Sequence, residues 1–326
     1  MLYANRSSDV ATSGQEHMKH TISVALCVIV SLVLGAIATR YVHPQWMLAT
    51  LHSLQLHAAI ACALAMILAL LISRNLFPGL LLIASVGIAV HAWIMPYEFD
   101  ADPAPQSGKT IRLMHFNILG GNYRNGERIY QAIVNSGADV VNIMEMPPLA
   151  PYLAELDKVY PYRIGCGKET DICDMMMLSK LPLTNLSVGG LSELRKDRFM
   201  LADVDVGGTT VHVVAMHLSK PYFDNYHKME LTNAARIINN RKGPLFLSGD
   251  FNSSSIAPDV QQFMRWTDLR TIAPEIPTWP VRLGRFGIAI DHVMVRAPLG
   301  MKSVTRIPDS MGSNHFGLMA EFVVPE

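Results

Sequence analysis

The sequence predicts an α/β sandwich of mixed sheets joined to three membrane-spanning helices. Three observations carry that reading. Charge is nearly absent from the first hundred residues, strand and helix patterns alternate irregularly after residue 110, and polar residues recur where the strand patterns end. Across 326 residues, Lys plus Arg and Asp plus Glu number 27 each, and half of all residues are hydrophobic. That composition excludes a disordered chain, a collagen-like chain and a small disulfide scaffold. The balanced charge argues against a protein that grips nucleic acid through a strongly basic surface.

The first hundred residues hold eight charges: Arg6, Asp9, Glu16, Lys19, Arg40, Arg74, Glu98 and Asp100. Ile22–Thr39 is apolar and stops at Arg40. Ala58–Ile72 is uninterrupted and extends back through Leu51–His57, and Leu76–Met95 follows after a short polar hairpin. A helix crossing the hydrocarbon core needs about 20 mostly apolar residues, so each stretch qualifies. Lys19 and Ala36-Ile37-Ala38 also fit a cleaved signal peptide, but the length of the run and the two spans after it favour a retained helix. With Arg6, Lys19 and Arg74 inside, the positive-inside rule places the C-terminal part in a periplasmic or extracellular space, making the chain a multi-pass cell-membrane protein. The expected organisation is a membrane anchor over 1–96, a Pro- and Gly-containing linker over 97–110, and a soluble domain over 111–326.

Cys27 and Cys62 fall inside apolar spans and read as packed residues. Cys166 and Cys173 flank a short polar segment; a disulfide and two free thiols are both open, and the spacing gives little support to zinc.

In the soluble part, strands are expected over 111–117, 139–145, 175–179, 183–188, 199–206, 211–217, 244–249, 287–295, 302–306 and 316–324. Helices are expected over 127–135, 148–156, 226–240 and 258–266. Several neighbouring strands lack a helix between them. That excludes regular βα alternation and favours mixed sheets. The run Met175-Met176-Met177 reads as a packed strand.

Chemistry-bearing residues sit at the strand ends. They are Asn117, Glu145, His217, Asp250 and Asn252 in Gly249-Asp250-Phe251-Asn252, Asp291 in Ile290-Asp291-His292, and His315 in Ser313-Asn314-His315. Singly, most fit turns, solvated ends or packed histidines. Asp291 is the exception, because an acid in an apolar strand needs a partner and histidine supplies one. Their recurrence at strand ends points to one convergent pocket.

In order and spacing these motifs resemble the endonuclease/exonuclease/phosphatase superfamily over about residues 110–325, and Thr278-Trp279-Pro280 resembles its membrane-anchored bacterial branch. The resemblance implies a four-layer α/β sandwich, two mixed β-sheets flanked by helices. It implies a hydrolase acting on phosphoric ester bonds, with Glu145 holding a divalent metal, Mg²⁺ with Mn²⁺ as the alternative, and Asn117 beside it. By the same matching, Asp250 orients or deprotonates the attacking water, Asn252 steadies it or the phosphate, and Asp291 polarises His315 at the phosphate. His217 helps protonate the leaving oxygen. The family's usual Ser-Asp-His is here Ser313-Asn314-His315, which removes one negative charge from the metal ligands. Weaker metal affinity or altered metal preference is expected, and unchanged metal dependence in Asn314→Asp contradicts that.

The expected partners are a phosphodiester substrate, nucleic acid or a phospholipid headgroup, and the lipid bilayer; no protein partner is indicated. Arg282 and Arg285 are candidate phosphate contacts, as is the cluster Arg195, Lys196 and Arg198. The competing reading is a catalytically weak binding or signalling module that keeps the fold. Asn314 alone supports it, while Glu145, Asp250, Asn252, Asp291 and His315 are all in place.

Overall fold

The computed structural model describes residues 4–325. The chain divides into two compact units, Met1–Met95 and Pro96–Glu326.

In the first unit, helix α1 spans Ala4–Ala38, α2 Ala49–Ser53, α3 Gln55–Ile72 and α4 Leu76–Ile94. Among the described residues, three helical stretches are long and apolar enough to cross a membrane: Gln15–Tyr41, Gln55–Ile72 and Leu76–Phe99. Cys27, Val30 and Leu34 of α1 pack against Cys62, Met66 and Ala69 of α3. Leu32, Leu71, Leu76 and Ile83 stay exposed. Apolar side chains facing outward on helices of this length suit a hydrocarbon surround rather than water. The helix expected to run on from Leu51 breaks at Leu54. Buried His52, Ser53 and Gln55 gather there, and Arg40 donates to Gln55 Oε1 at 2.5 Å, so polar anchoring interrupts the apolar run.

Among the described residues, the second unit holds eleven strands in two sheets. The first sheet comprises β1 (Lys109–Asn117), β2 (Val140–Met144), β3 (Tyr162–Ile164), β4 (Met175–Ser179), β10 (Gly300–Arg306) and β11 (Leu318–Val324), ordered β10-β11-β1-β2-β4-β3. The second comprises β5 (Thr184–Gly189), β6 (Phe199–Val206), β7 (Thr209–His217), β8 (Leu245–Asp250) and β9 (Asp291–Arg296), in sequence order. Each sheet has one parallel pair, β1 with β2 and β7 with β8, and is otherwise antiparallel.

Alternation sorts side chains between the faces of each strand. Leu113, Met175 and Met177 of the first sheet meet Met200, Val213 and Phe246 of the second, and Phe246 stacks on Phe322 with ring centroids 4.7 Å apart. The outer face of the first sheet packs under α5 (Gly126–Asn135) and α6 (Leu153–Val159). The outer face of the second packs under α7 (Tyr226–Asn239) and α8 (Pro258–Thr267). These are the four layers of the expected sandwich.

Four details depart from the sequence reading. The helix expected over 148–156 is a 3-10 turn over Pro147–Tyr152 followed by α6, because prolines at 147, 148 and 151 withhold the N–H groups an α-helix needs. Strand β9 starts at Asp291 rather than 287, since Ile288 instead forms a bridge with Trp279. The three-residue edge strand β3 is too short to give a periodic signal. Residues read as a linker lie along the second unit: Phe99 is buried in its core, Ala101 N–H donates to Thr271 O at 2.7 Å, and Glu98 pairs with Arg265.

Candidate active site

Strand register brings three of the expected residues side by side. His217 on β7 is level with Asp250 on β8, which is level with Asp291 on β9. Across the sandwich, Asn117 ends β1 opposite Met144 of β2, so Glu145 emerges just beyond it. Glu145 takes φ 57°, a left-handed turn that carries its carboxylate out of the strand direction. His315 enters from the loop before β11, where Ser313 Oγ donates to Asn117 O at 2.7 Å and accepts from His315 N–H at 3.1 Å.

One oxygen lies at the centre. Asp250 Oδ2 accepts from Asn117 Nδ2 at 2.9 Å and has His217 Nε2 at 3.8 Å and His315 Nε2 at 3.9 Å. Asp250 Oδ1 accepts from Asn252 N–H at 2.8 Å, while Asn252 Nδ2 donates to Leu218 O at 2.9 Å. Asn117 Nδ2 also donates to Glu145 Oε1 at 3.1 Å, and Gly120 N–H donates to Glu145 Oε2 at 2.7 Å. The Asn117 amide therefore ties Glu145 to Asp250.

Asp291 is buried and accepts on both oxygens, from His315 Nδ1–H at 2.8 Å and from His115 Nε2–H at 3.2 Å. Burial works against its charge, but the His315 charge and the hydrogen bonds from His115 and His315 win, holding the carboxyl well below the usual carboxylate range. Burial likewise opposes protonation of His315, yet Asp291 foremost, then Asp250 and Glu145, push it up to about 9. Beyond this pair, His217 Nδ1–H donates to Asp174 Oδ2 at 2.9 Å, and Arg198 Nη2 donates to Asp174 Oδ1 at 3.0 Å. Burial raises the Asp174 carboxyl, but the His217 and Arg198 contacts outweigh it and bring it down to about 2.

His115 and Asp174 were not singled out from sequence, and each carried a signal. His115 lies two residues before Asn117, hence on the same face of an apolar strand. Asp174 is an acid placed directly against the apolar run Met175-Met176-Met177. A cleft of about 180 Å³ opens beside Glu145 and His217, lined also by Arg195, Arg198, Lys220, Phe223 and Asn252.

The remaining expected residues lie apart. Arg282 and Arg285 are exposed on the 3-10 turn Val281–Phe286 and do not line this cleft, whereas Arg195 and Arg198 do. Asn314 is exposed, and its backbone carbonyl accepts from Val281 N–H. Asn117 Oδ1 accepts from Leu119 N–H, so this asparagine spends its oxygen locally and turns its NH₂ to the two acids. Cys166 and Cys173 are joined in a disulfide, and Met146 Sδ lies 3.1 Å from both sulfurs.

Asp250, Asp291 and His315 place ligand-type atoms within 4.8 Å of one another. Both oxygens of Asp291 already accept histidine N–H groups. Each oxygen of Asp250 and Glu145 likewise accepts one N–H, so all three carboxylates keep a lone pair per oxygen, and Glu145 borders the cleft. Carboxylates offering hard oxygen atoms fit a divalent cation.

Two sheets with helices outside and this polar centre at the strand ends define the class: a hydrolase of phosphoric esters. The chain belongs to the Endonuclease/Exonuclease/phosphatase family, whose model matches residues 114–315. No curated protein matches the chain. Among solved structures, it is similar to D. rerio TDP2 complexed with a single-strand DNA product, at 16% identity and TM-score 0.53, covering 66% of this chain and 99% of that one. A mannosyl-6-phosphatase from Bacteroides thetaiotaomicron is similar at 13% identity and TM-score 0.53, covering 66% and 100%. A family protein from the same organism is similar at 12% identity and TM-score 0.53, covering 67% and 96%. At these identities the likeness establishes the fold alone.

Proposed function

We propose that this chain is a membrane-anchored, divalent-metal-dependent phosphodiesterase. The observation that carries the reading is the convergence of two histidine Nε2 atoms, at 3.8 and 3.9 Å, on the same Asp250 oxygen. Asp250 orients and deprotonates the attacking water, and Asn252, hydrogen-bonded to it, steadies that water against the phosphoryl group. His315, protonated and held by Asp291, presents its Nε2–H to a phosphoryl oxygen and offsets the charge that grows there. His217, fixed through Nδ1 by Asp174, delivers a proton to the leaving oxygen. Glu145, tied to Asp250 by Asn117, is the residue that would hold Mg²⁺ or Mn²⁺. Bound there, the cation would supply Lewis-acid stabilisation of the phosphoryl oxygens. Arg195, Arg198 and Lys220 give the cleft local anion-binding capacity without a basic field over the whole surface. A diester carried by nucleic acid or by a phospholipid headgroup suits these contacts.

The three apolar helices support anchorage in a cell membrane. The Cys166–Cys173 disulfide supports a catalytic unit that faces an oxidising space, periplasmic or extracellular. The test uses the detergent-solubilised full chain against bis(p-nitrophenyl) phosphate, single-stranded DNA, sphingomyelin and inositol phosphates. Each assay runs with Mg²⁺ and with chelator. Metal-dependent turnover of at least one diester is expected, and none with any substrate would leave the non-catalytic reading standing.

A further inference from the structure

Two histidines outside the cleft grip the loop that follows Asp250. Asn252 in that loop takes φ 51°, in the left-handed region, which asparagine tolerates better than most residues with a side chain. On one side, His227 of α7 has Nε2 at 2.8 Å from Phe251 O and Nδ1 at 2.6 Å from Asp259 Oδ2. On the other, His292 of β9 has Nε2 at 2.8 Å from Ser253 O and Nδ1 at 2.5 Å from Glu275 Oε2. The carbonyls gripped are those immediately before and after Asn252.

A carbonyl oxygen and a carboxylate only accept hydrogen bonds. With Asp259 and Glu275 ionised, each of these rings donates from both nitrogens as an imidazolium. A neutral ring would aim a lone pair at one of its two acceptors. Both rings are buried, His292 wholly so, and a buried cation persists only when paired; Asp259 and Glu275 supply the pairs. Burial opposes the charge on both, and the adjoining carboxylates overcome it, raising both histidines above their ordinary value. The His292 ring also meets the Phe251 ring edge-on, with centroids 4.8 Å apart.

We propose that His227 and His292 are positioning residues: paired two-ended clamps that fix the backbone on both sides of Asn252 and so hold Asn252 and Asp250 in register with the substrate. This rests on the roles given above to Asp250 and Asn252. A third histidine offers an internal control. His212 has the same two-acceptor environment, Asp203 and Lys242 O, but sits five residues before His217 on β7, away from the strand ends that bear the site.

The test uses the detergent-solubilised full chain with Mg²⁺ and bis(p-nitrophenyl) phosphate. His227→Ala and His292→Ala should each lower kcat by about tenfold or more with KM within about twofold, the signature of misplaced reacting groups. His227→Gln and His292→Gln, which retain a donor for the carbonyl, should recover most of that loss. His212→Ala should lower thermal stability and leave kcat within about twofold. Equal losses in all three alanine variants, or no recovery with glutamine, would overturn the clamps. Nitrogen-15 NMR of histidine-labelled, metal-free chain gives a readout independent of turnover and of variant folding. Protons on both ring nitrogens of His227 and His292 near neutral pH are expected, and a neutral ring at either position refutes the proposal. If the wild-type chain hydrolyses no diester, the phosphodiesterase reading fails while the NMR result still decides the clamps.

Discussion

At the scale of single residues, Asp291 does more than orient one histidine. It accepts from His315 and from His115 at once, so its charge is paired twice and His315 is held with Nε2 turned toward Asp250. Asp291→Asn keeps the shape but removes the charge and one acceptor. It should lower kcat by about a hundredfold or more with KM little changed, measured by steady-state hydrolysis. The same pair sets a pH dependence of stability. His315 is raised to about 9 in the folded chain from 6.5, so its contribution is fully present below about 6.5 and is lost as pH rises through about 9. The thermal midpoint of the metal-free chain should fall across that window, and Asp291→Asn should flatten the fall. Asp291 was legible in sequence because an acid inside an apolar strand demands a partner. That His115 would be its second partner was not legible, since nothing local says which face of β1 lies against β9.

At the scale of elements, the segments that carry Glu145 and Asp174 meet at the disulfide. Met146 packs its sulfur against both cysteines, and its N–H donates to Asp174 O at 3.1 Å. The disulfide loop thus adjoins both the acid assigned to the metal and the acid that holds His217. Replacing both cysteines by serine should cost about 2–3 kcal/mol of stability by loop-closure entropy. It should also reduce kcat, because Asp174 follows Cys173 directly; denaturant unfolding and steady-state kinetics on the same variant check both effects. Most strands were legible because their apolar runs are long and end in turn residues, and Met175–Ser179 and Phe199–Val206 appear with the expected bounds. The misplaced elements have local causes. Prolines at 147, 148 and 151 turned an expected helix into a 3-10 turn, and the 3-residue β3 is set by pairing with β4 rather than by its own pattern.

At the scale of the whole molecule, the chain joins an apolar helical unit to a hydrolytic sandwich, and the uneven charge distribution made that division legible. The boundary was less so. Residues after Tyr97 have linker composition, yet Phe99 finds an apolar slot among Leu269, Phe263 and their neighbours, and burial overrides composition. Charged residues near the cleft were harder to rank, because sequence distance says little about which loops share a rim. Arg195 and Arg198 reach it while Arg282 and Arg285 stay on an exposed turn. In the proposed hydrolysis, Asp250 is the residue on which metal-dependent cleavage of the diester turns. The most direct test of that role compares the detergent-solubilised wild-type chain with Asp250→Ala on the same diester, with Mg²⁺ and after chelation. Wild-type turnover should be abolished by chelation and lowered about a thousandfold by Asp250→Ala; turnover that persists in the variant or in chelator rules out this role for Asp250.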